Sequence, residues 1–508
     1  MIQIPTLGLL AIDAGTGSIR TTLFDTKGRI QRQARQGYNV NLAPGGCAEQ
    51  DLGALWRAVV ATLREIFSDG GAQVAGIGVT GALSLVLADA KGEPLRPALL
   101  WQDRRAVDEA GVILRDIGAD ALFSTAGRRV DPEQNACKLL WIKKHEPEHW
   151  RRAATVYAVK DWIVQRLCGG RFTDRTTASY TLLFDVYRDQ WNLDLTEALA
   201  IPEALLPPVT TGQAQAGTVT REVASETGLP EGVPVVVGGP DGTLGALGSG
   251  MAAPGMAVNI IGTTDVFLAC LDQPVRDSQR GTVLNAYVVP DRWAIGGPMG
   301  LTGGALRWFG ETFLSPENAS SSDPLFHVLD RLAAKAEPGA DGVFFLPGLS
   351  GDRVPRWNPA ARGVIFGLSA EHQLHHIVRA LFEGCAYTLA DAVNAVAHLG
   401  VDIGDIRVAG GGAASDLWLR IRAGALGRPL NVVKELEASS LGAAIAAGVG
   451  VGVYADFPTA VGEAVAISHR IEPGPTLVGT YQAYYQVYQQ LYRRLEPVFA
   501  DLAKLRQG

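Results

Sequence analysis

The chain has 508 residues, 47% of them hydrophobic and 19% charged, with a formal net charge of −7. That composition supplies more than one buried core, and the absence of any Lys/Arg run excludes surfaces built to track nucleic acid or an anionic membrane. Five cysteines (Cys47, Cys137, Cys168, Cys270, Cys385) stand apart with no CxxC and no paired histidine spacing, which argues for a reducing compartment and against a disulfide framework or metal cluster.

The opening MIQIPTLGLLAID lacks a basic n-region and a small-residue cleavage site, so the expected location is the cytoplasm. Residues 7–25 then read as strand, Gly-rich turn, strand: apolar 9–12, a turn over 13–18, and 20–24. The turn offers backbone N–H groups and the hydroxyls of Thr16 and Ser18 to a phosphate, with Asp13 placed to hold a hydrated Mg²⁺. No GKS or GKT follows, so it is not a Walker A loop, and most such hairpins bind nothing. Residues 51–67 carry apolar side chains at helical spacing. A strand at 74–79 runs into the loop 80–84, followed by a strand at 85–88 and the segment 97–103, which ends Trp101-Gln102-Asp103. That ending fits a polyol site, with an aromatic face for the carbon chain and a carboxylate for hydroxyls. It fits a buried Trp beside a solvated Asp equally well. Residues 131–194 show no independent chemistry.

Residues 235–237 are three valines, a buried strand broken by Gly238-Gly239-Pro240-Asp241-Gly242 before a helix over 243–247. Asp241 therefore stands at a strand-to-helix turn between glycines that permit close approach of a ligand. It is either a general base or a helix cap, and the two roles are compatible. The chain next repeats itself. Gly15-Thr16 and Asp25 are separated as Gly262-Thr263 and Asp272 are, each time in the order strand, Gly-Thr turn, strand, Asp. A period near half the chain predicts two similarly built halves, each opening with a phosphate-type hairpin.

A proline-rich loop over 342–367 leads to a helix over 371–398 closed by Gly400. Its His372, His375 and His376 lack a carboxylate or cysteine to complete a metal site. A strand at 406–409, the turn Gly410-Gly411-Gly412 and a helix over 413–425 suit close approach to a nucleotide. A small-residue helix at 437–448 and an aromatic helix at 481–495 close the chain. The apolar run 441–453 is short for a membrane span.

These segments, in this order, resemble the FGGY family of carbohydrate kinases over nearly the whole chain. Residues 12–16 and 262–264 are similar to its two phosphate motifs, 408–416 to its adenosine motif, 363–383 to its C-terminal signature, and VVVGGPDGTLGALGSG to its catalytic strand. The resemblance implies an α/β fold of two actin-like (RNase H-type) domains, divided as 1–252 and 253–508, with ATP and sugar in the cleft between them. It implies Asp241 as the base and Asp13 as the catalytic Mg²⁺ ligand. Gly15, Thr16, Gly262, Thr263, Thr264, Gly303, Gly411, Gly412 and Asp416 would attend the nucleotide. Gly81, Ala82, Leu83, Ser84, Trp101, Asp103 and Asp241 would attend a small-molecule sugar or polyol.

LRPALLWQDRR and KLLWIKKHEPE are similar to the family's xylulokinases, so phosphorylation of D-xylulose is the expected reaction. DAGTGSIR and the late VVKELEASSLGAAIAAG are nearer its autoinducer-2 kinases. The loop Gly81-Ala82-Leu83-Ser84 departs from the Gln-Met-His-Gly of xylulokinases and from the Arg-Glu pair of glycerol kinases. A nucleotide-driven binding protein of the actin or chaperone type is the reading from another class. No nucleic acid or membrane partner is expected, and a homodimer stays open.

Overall fold

The computed structural model describes residues 7–70, 72–314, 324–435 and 437–505. Two seven-stranded sheets organise it. The first holds β1 (Gly8–Ala14), β2 (Ser18–Phe24), β3 (Ile30–Gly37), β4 (Val74–Gly81), β5 (Gln215–Thr218) and β6 (Pro234–Val236) in the order β5-β6-β4-β1-β2-β3, with the short β7 (Gly239–Pro240) also on β4. The second holds β8 (Gly255–Ile261), β9 (Thr264–Leu271), β10 (Val283–Ala286), β11 (Trp293–Leu301), β12 (Ile403–Ala409), β13 (Leu430–Val433) and β14 (Ile467–Ile471), ordered β10-β11-β9-β8-β12-β13-β14.

The two orders are the same arrangement with β10 added. In each, the opening hairpin (β1-β2, β8-β9) is antiparallel and extends to a third antiparallel strand, while its first strand pairs in parallel with a strand on the other side. The sequence repeat is therefore a repeat of topology. β1, GLLAIDA, is buried at every residue, the continuous apolar run expected of a strand flanked by two others and covered on both faces.

Five further strands (40–43, 47–50, 84–88, 98–100 and 155–157) form a separate sheet beside the first. The expected helices are present with shifted ends. The long ones run Leu374–His398 and Pro475–Leu505, the latter extending well past the expected 481–495. The expected 413–425 helix splits into a 3₁₀ turn, Gly411–Ala414, and a helix, Asp416–Leu426.

Helices α1 (Asp241–Gly248) and α2 (Ala438–Gly450) cross between the sheets. A Cβ on Gly248 would stand 1.9 Å from the Ala438 carbonyl oxygen, and one on Gly442 1.9 Å from that of Leu244. The small-residue composition is thus a requirement of backbone contact. α2 also lies on the first sheet, where a Cβ on Gly78 would meet the Ala443 carbonyl at 2.0 Å. One core cluster joins Leu9 and Ala11 of β1, Leu244 and Leu247 of α1, Leu441 and Ile445 of α2, and Val258 and Leu268 of the second sheet.

Candidate active site

Asp241 is the first residue of α1, with Pro240 preceding it and no side-chain cap on the helix. Its carboxylate accepts the Gly242 N–H at 2.7 Å. Burial pushes its pKa upward, and the backbone N–H bonds of the helix start pull it back. Asp13, near the end of β1, lies opposite Arg20 on β2 and Thr80 on β4. Burial, then the charge of Asp241, raise its pKa to about 7; Arg20 opposes and Glu437 adds to the rise. The structure thus brings the two predicted aspartates into one field. Arg20 approaches Asp13 only to 3.8 Å, because its guanidinium is hydrogen-bonded to Glu437 at the start of α2.

Two carboxylates held against their mutual repulsion fit a divalent cation. Among the described residues there is no cluster of three or more His, Cys, Asp or Glu side chains that could cage one. That donor set suits Mg²⁺, which keeps waters and takes phosphate oxygens beside one or two carboxylates.

Asp241 lines a cavity of about 510 Å³ together with Thr16, Ala82, Leu83, Ser84 and Trp101, a size suited to a small ligand. Trp101 Nε1 donates to Thr16 Oγ1 at 3.2 Å, tying the first hairpin turn to this wall. Gly81 does not line the cavity; it is packed between Ala14 and Pro240 on the neighbouring strands. Asp103 is a correction. Its side chain is fully buried, accepting the Ala48 N–H at 2.6 Å and pairing with Arg105 at 2.9 Å, so it braces the wall from behind.

A second cavity, of about 380 Å³, is lined by Gly262, Thr263, Gly303, Gly411, Gly412 and the apolar Leu306, Phe326, Phe382 and Trp418. Its glycines are close-approach positions: a Cβ on Gly303 would meet the Gly262 carbonyl at 2.4 Å, and one on Gly412 would meet Ile261 Cγ2 at 2.2 Å. Asp330 and Ser415 add a polar pair at 2.6 Å. Gly15 and Thr264 lie outside its lining. Asp416 does too: it is exposed, with Arg420 at 3.8 Å and His469 at 3.4 Å, and Ser415 takes the place expected of it. Thr263, in the turn before β9, lines one cavity and Val266 of β9 the other, three residues apart and roughly 10 Å of extended chain.

Sequence reasoning missed one wall. Arg128, Asp131, Glu133, Gln134 and Asn135 line the first cavity beside Asn285, Arg353 and Trp357 from the second half, with Arg128 bonded to Asn285 and Glu133 3.7 Å from Arg353. The signal was a dense polar run immediately before the helix Asn135–His145.

The FGGY family of carbohydrate kinases matches through its N-terminal domain at residues 9–248 and its C-terminal domain at 257–451. Similar proteins include a xylulose kinase of Staphylococcus epidermidis, 30% identical over 97% of this chain and 98% of its own. A glycerol kinase of Methylibium petroleiphilum is 32% identical over 88% and 91%, and a gluconokinase of Bacillus subtilis 28% over 98% of each. The crystal structure of xylulose kinase from Rhodospirillum rubrum superposes with a TM-score of 0.90 at 30% identity, covering 97% of this chain and all of that one.

Proposed function

The chain belongs to the FGGY family of carbohydrate kinases, phosphotransferases acting on a sugar or polyol hydroxyl with ATP as donor, and from that premise we propose that Asp241 is the base that accepts the acceptor's hydroxyl proton. The observation that carries this is its place at a helix start, on the wall of the larger cavity, with Asp13 in the same field. A carboxyl raised by burial is a better base near neutral pH than a solvated one. Phosphoryl transfer otherwise asks for positioning and neutralisation of charge.

In this reading the first cavity holds the sugar over Trp101, and Gly411 and Gly412 lie beside the adenosine, with Gly303 at its edge. The turns at Gly15-Thr16 and at Gly262-Thr263-Thr264 face the phosphates. Asp13, with Asp241 near, would hold Mg²⁺, which when bound neutralises phosphate charge. The division at 252/253 separates the two sheets, with α2 returning to lie on the first. Cytoplasmic location fits five free thiols; among the described residues no helix is long and apolar enough to cross a membrane. D-Xylulose, named by several relatives, is the reference acceptor.

The test is Asp241→Asn, assayed by acceptor-dependent ADP release beside MgATP binding. Loss of turnover with nucleotide binding intact is expected; turnover at the parent rate would remove Asp241 from the chemistry.

A further inference from the structure

The missed wall of the first cavity is electrically uneven. Asp131 is taken by Arg104 at 2.6 Å, and Glu133 lies 3.7 Å from Arg353. Arg128 has no such counterpart: among the described residues no carboxylate stands within ion-pair distance of it. It is 5% exposed, its guanidinium lies 4.3 Å from the centre of the Tyr180 ring and donates to Asn285 Oδ1, and its Nε has no hydrogen-bond partner. Burying a guanidinium is costly unless a counter-charge returns the lost hydration, and an aromatic face recovers only part of it. Arg128 nevertheless lines an open cavity, where an anionic ligand could supply the missing counter-charge. Arg129, over the Trp357 ring in the same lining, adds a second cation.

We infer that the acceptor is a sugar acid, an open-chain polyhydroxy carboxylate whose carboxylate is held by Arg128 while one of its hydroxyls meets Asp241. The inference rests on the reading of this cavity as the acceptor site. The planar guanidinium matches a carboxylate in a way no hydroxyl does, and Tyr180, whose ring lies 4.3 Å from Arg128, lines the same cavity as Asp241. D-Xylulose carries no charge and would leave Arg128 uncompensated.

The experiment compares acids and neutral acceptors of equal length in the full chain with ATP and Mg²⁺: D-xylonate against D-xylulose and xylitol, D-gluconate against D-glucitol. The expected kcat/KM for the preferred acid exceeds that of its neutral counterpart by roughly 10- to 100-fold, the worth of a charged hydrogen-bonded contact. Arg128→Gln should collapse that ratio, and Arg128→Lys should restore part of it. Calorimetric binding of the same acids and polyols to the parent chain, without nucleotide, reads the preference apart from turnover. Neutral acceptors outranking acids in both assays would overturn the inference, as would an acid preference that Arg128→Gln leaves intact. Acid binding without phosphorylation of any acceptor would instead overturn the proposed kinase role of the cavity and leave the carboxylate site standing.

Discussion

Each half of the molecule buries an aspartate beside its opening hairpin, and the two are treated differently. Asp265, in β9, is fully buried and paired at 2.7 Å with Arg422, itself fully buried and shared with Asn259. Asp13, near the end of β1, has an arginine directly across the hairpin, but Glu437 from the other half engages that arginine. Asp13 is left facing Asp241. The same topology thus yields a neutralised acid in one half and an under-compensated one in the other. A closed ion pair holds a fold together, whereas a carboxylate kept short of cations leaves room for a cationic ligand.

The most damaging way to test that contrast is Asp241→Asn. Removing the proposed base should cost about 10²- to 10⁴-fold in kcat and, by taking away a repelling charge, should lower the pKa of Asp13; acceptor-dependent ADP release and a pH titration read the two effects. Asp265→Asn should do the opposite kind of harm, lowering stability to denaturant by about 3–5 kcal/mol because Arg422 is left buried without its partner. Molecules that remain folded should keep their kcat.

Asp13→Asn should raise the melting temperature in the absence of Mg²⁺ and ATP. The sign follows from linkage. The folded-state pKa of about 7 lies above the ordinary 3.8, so the folded chain binds the extra proton between those values. The stability this contributes is complete below about pH 4 and is lost as pH rises to about 7. Thermal unfolding between pH 4 and 8 should show that decline in the parent and a shallower one in the variant. The smallest effect belongs to Asp416→Ala, which should alter the KM for ATP by less than about twofold, since an exposed side chain away from the cavity makes only weak ionic contacts. A tenfold rise would return Asp416 to the nucleotide site.

What the sequence made legible follows from what leaves a local mark. Strand-turn-strand patterns, the Gly-Thr repeat and the glycine turn at 410–412 announce themselves because backbone conformation and close approach restrict the residues allowed there. Asp241 stood out for the same reason. Asp103 and Asp416 misled because residue type and position say nothing of where a carboxylate points; Arg105 and the Ala48 N–H occupy the first, and solvent surrounds the second. Arg128 and Glu437 were missed because their importance arises from partners far along the chain, Asn285 and Arg20. Tertiary pairing of that kind has no periodicity to read.

The crossing of α1 and α2 has a mechanical side. Where two helices touch backbone to backbone at Gly248 and Gly442, few side-chain rotamers stand between them to be repacked when one turns against the other. Such a contact behaves as a pin and not as a weld: it fixes the separation of the two halves while leaving their rotation to be set elsewhere. The stiffness of the joint then resides in the cavity walls, and a ligand that touches both, Trp101 from the first half and Trp357 from the second, would act as the spring.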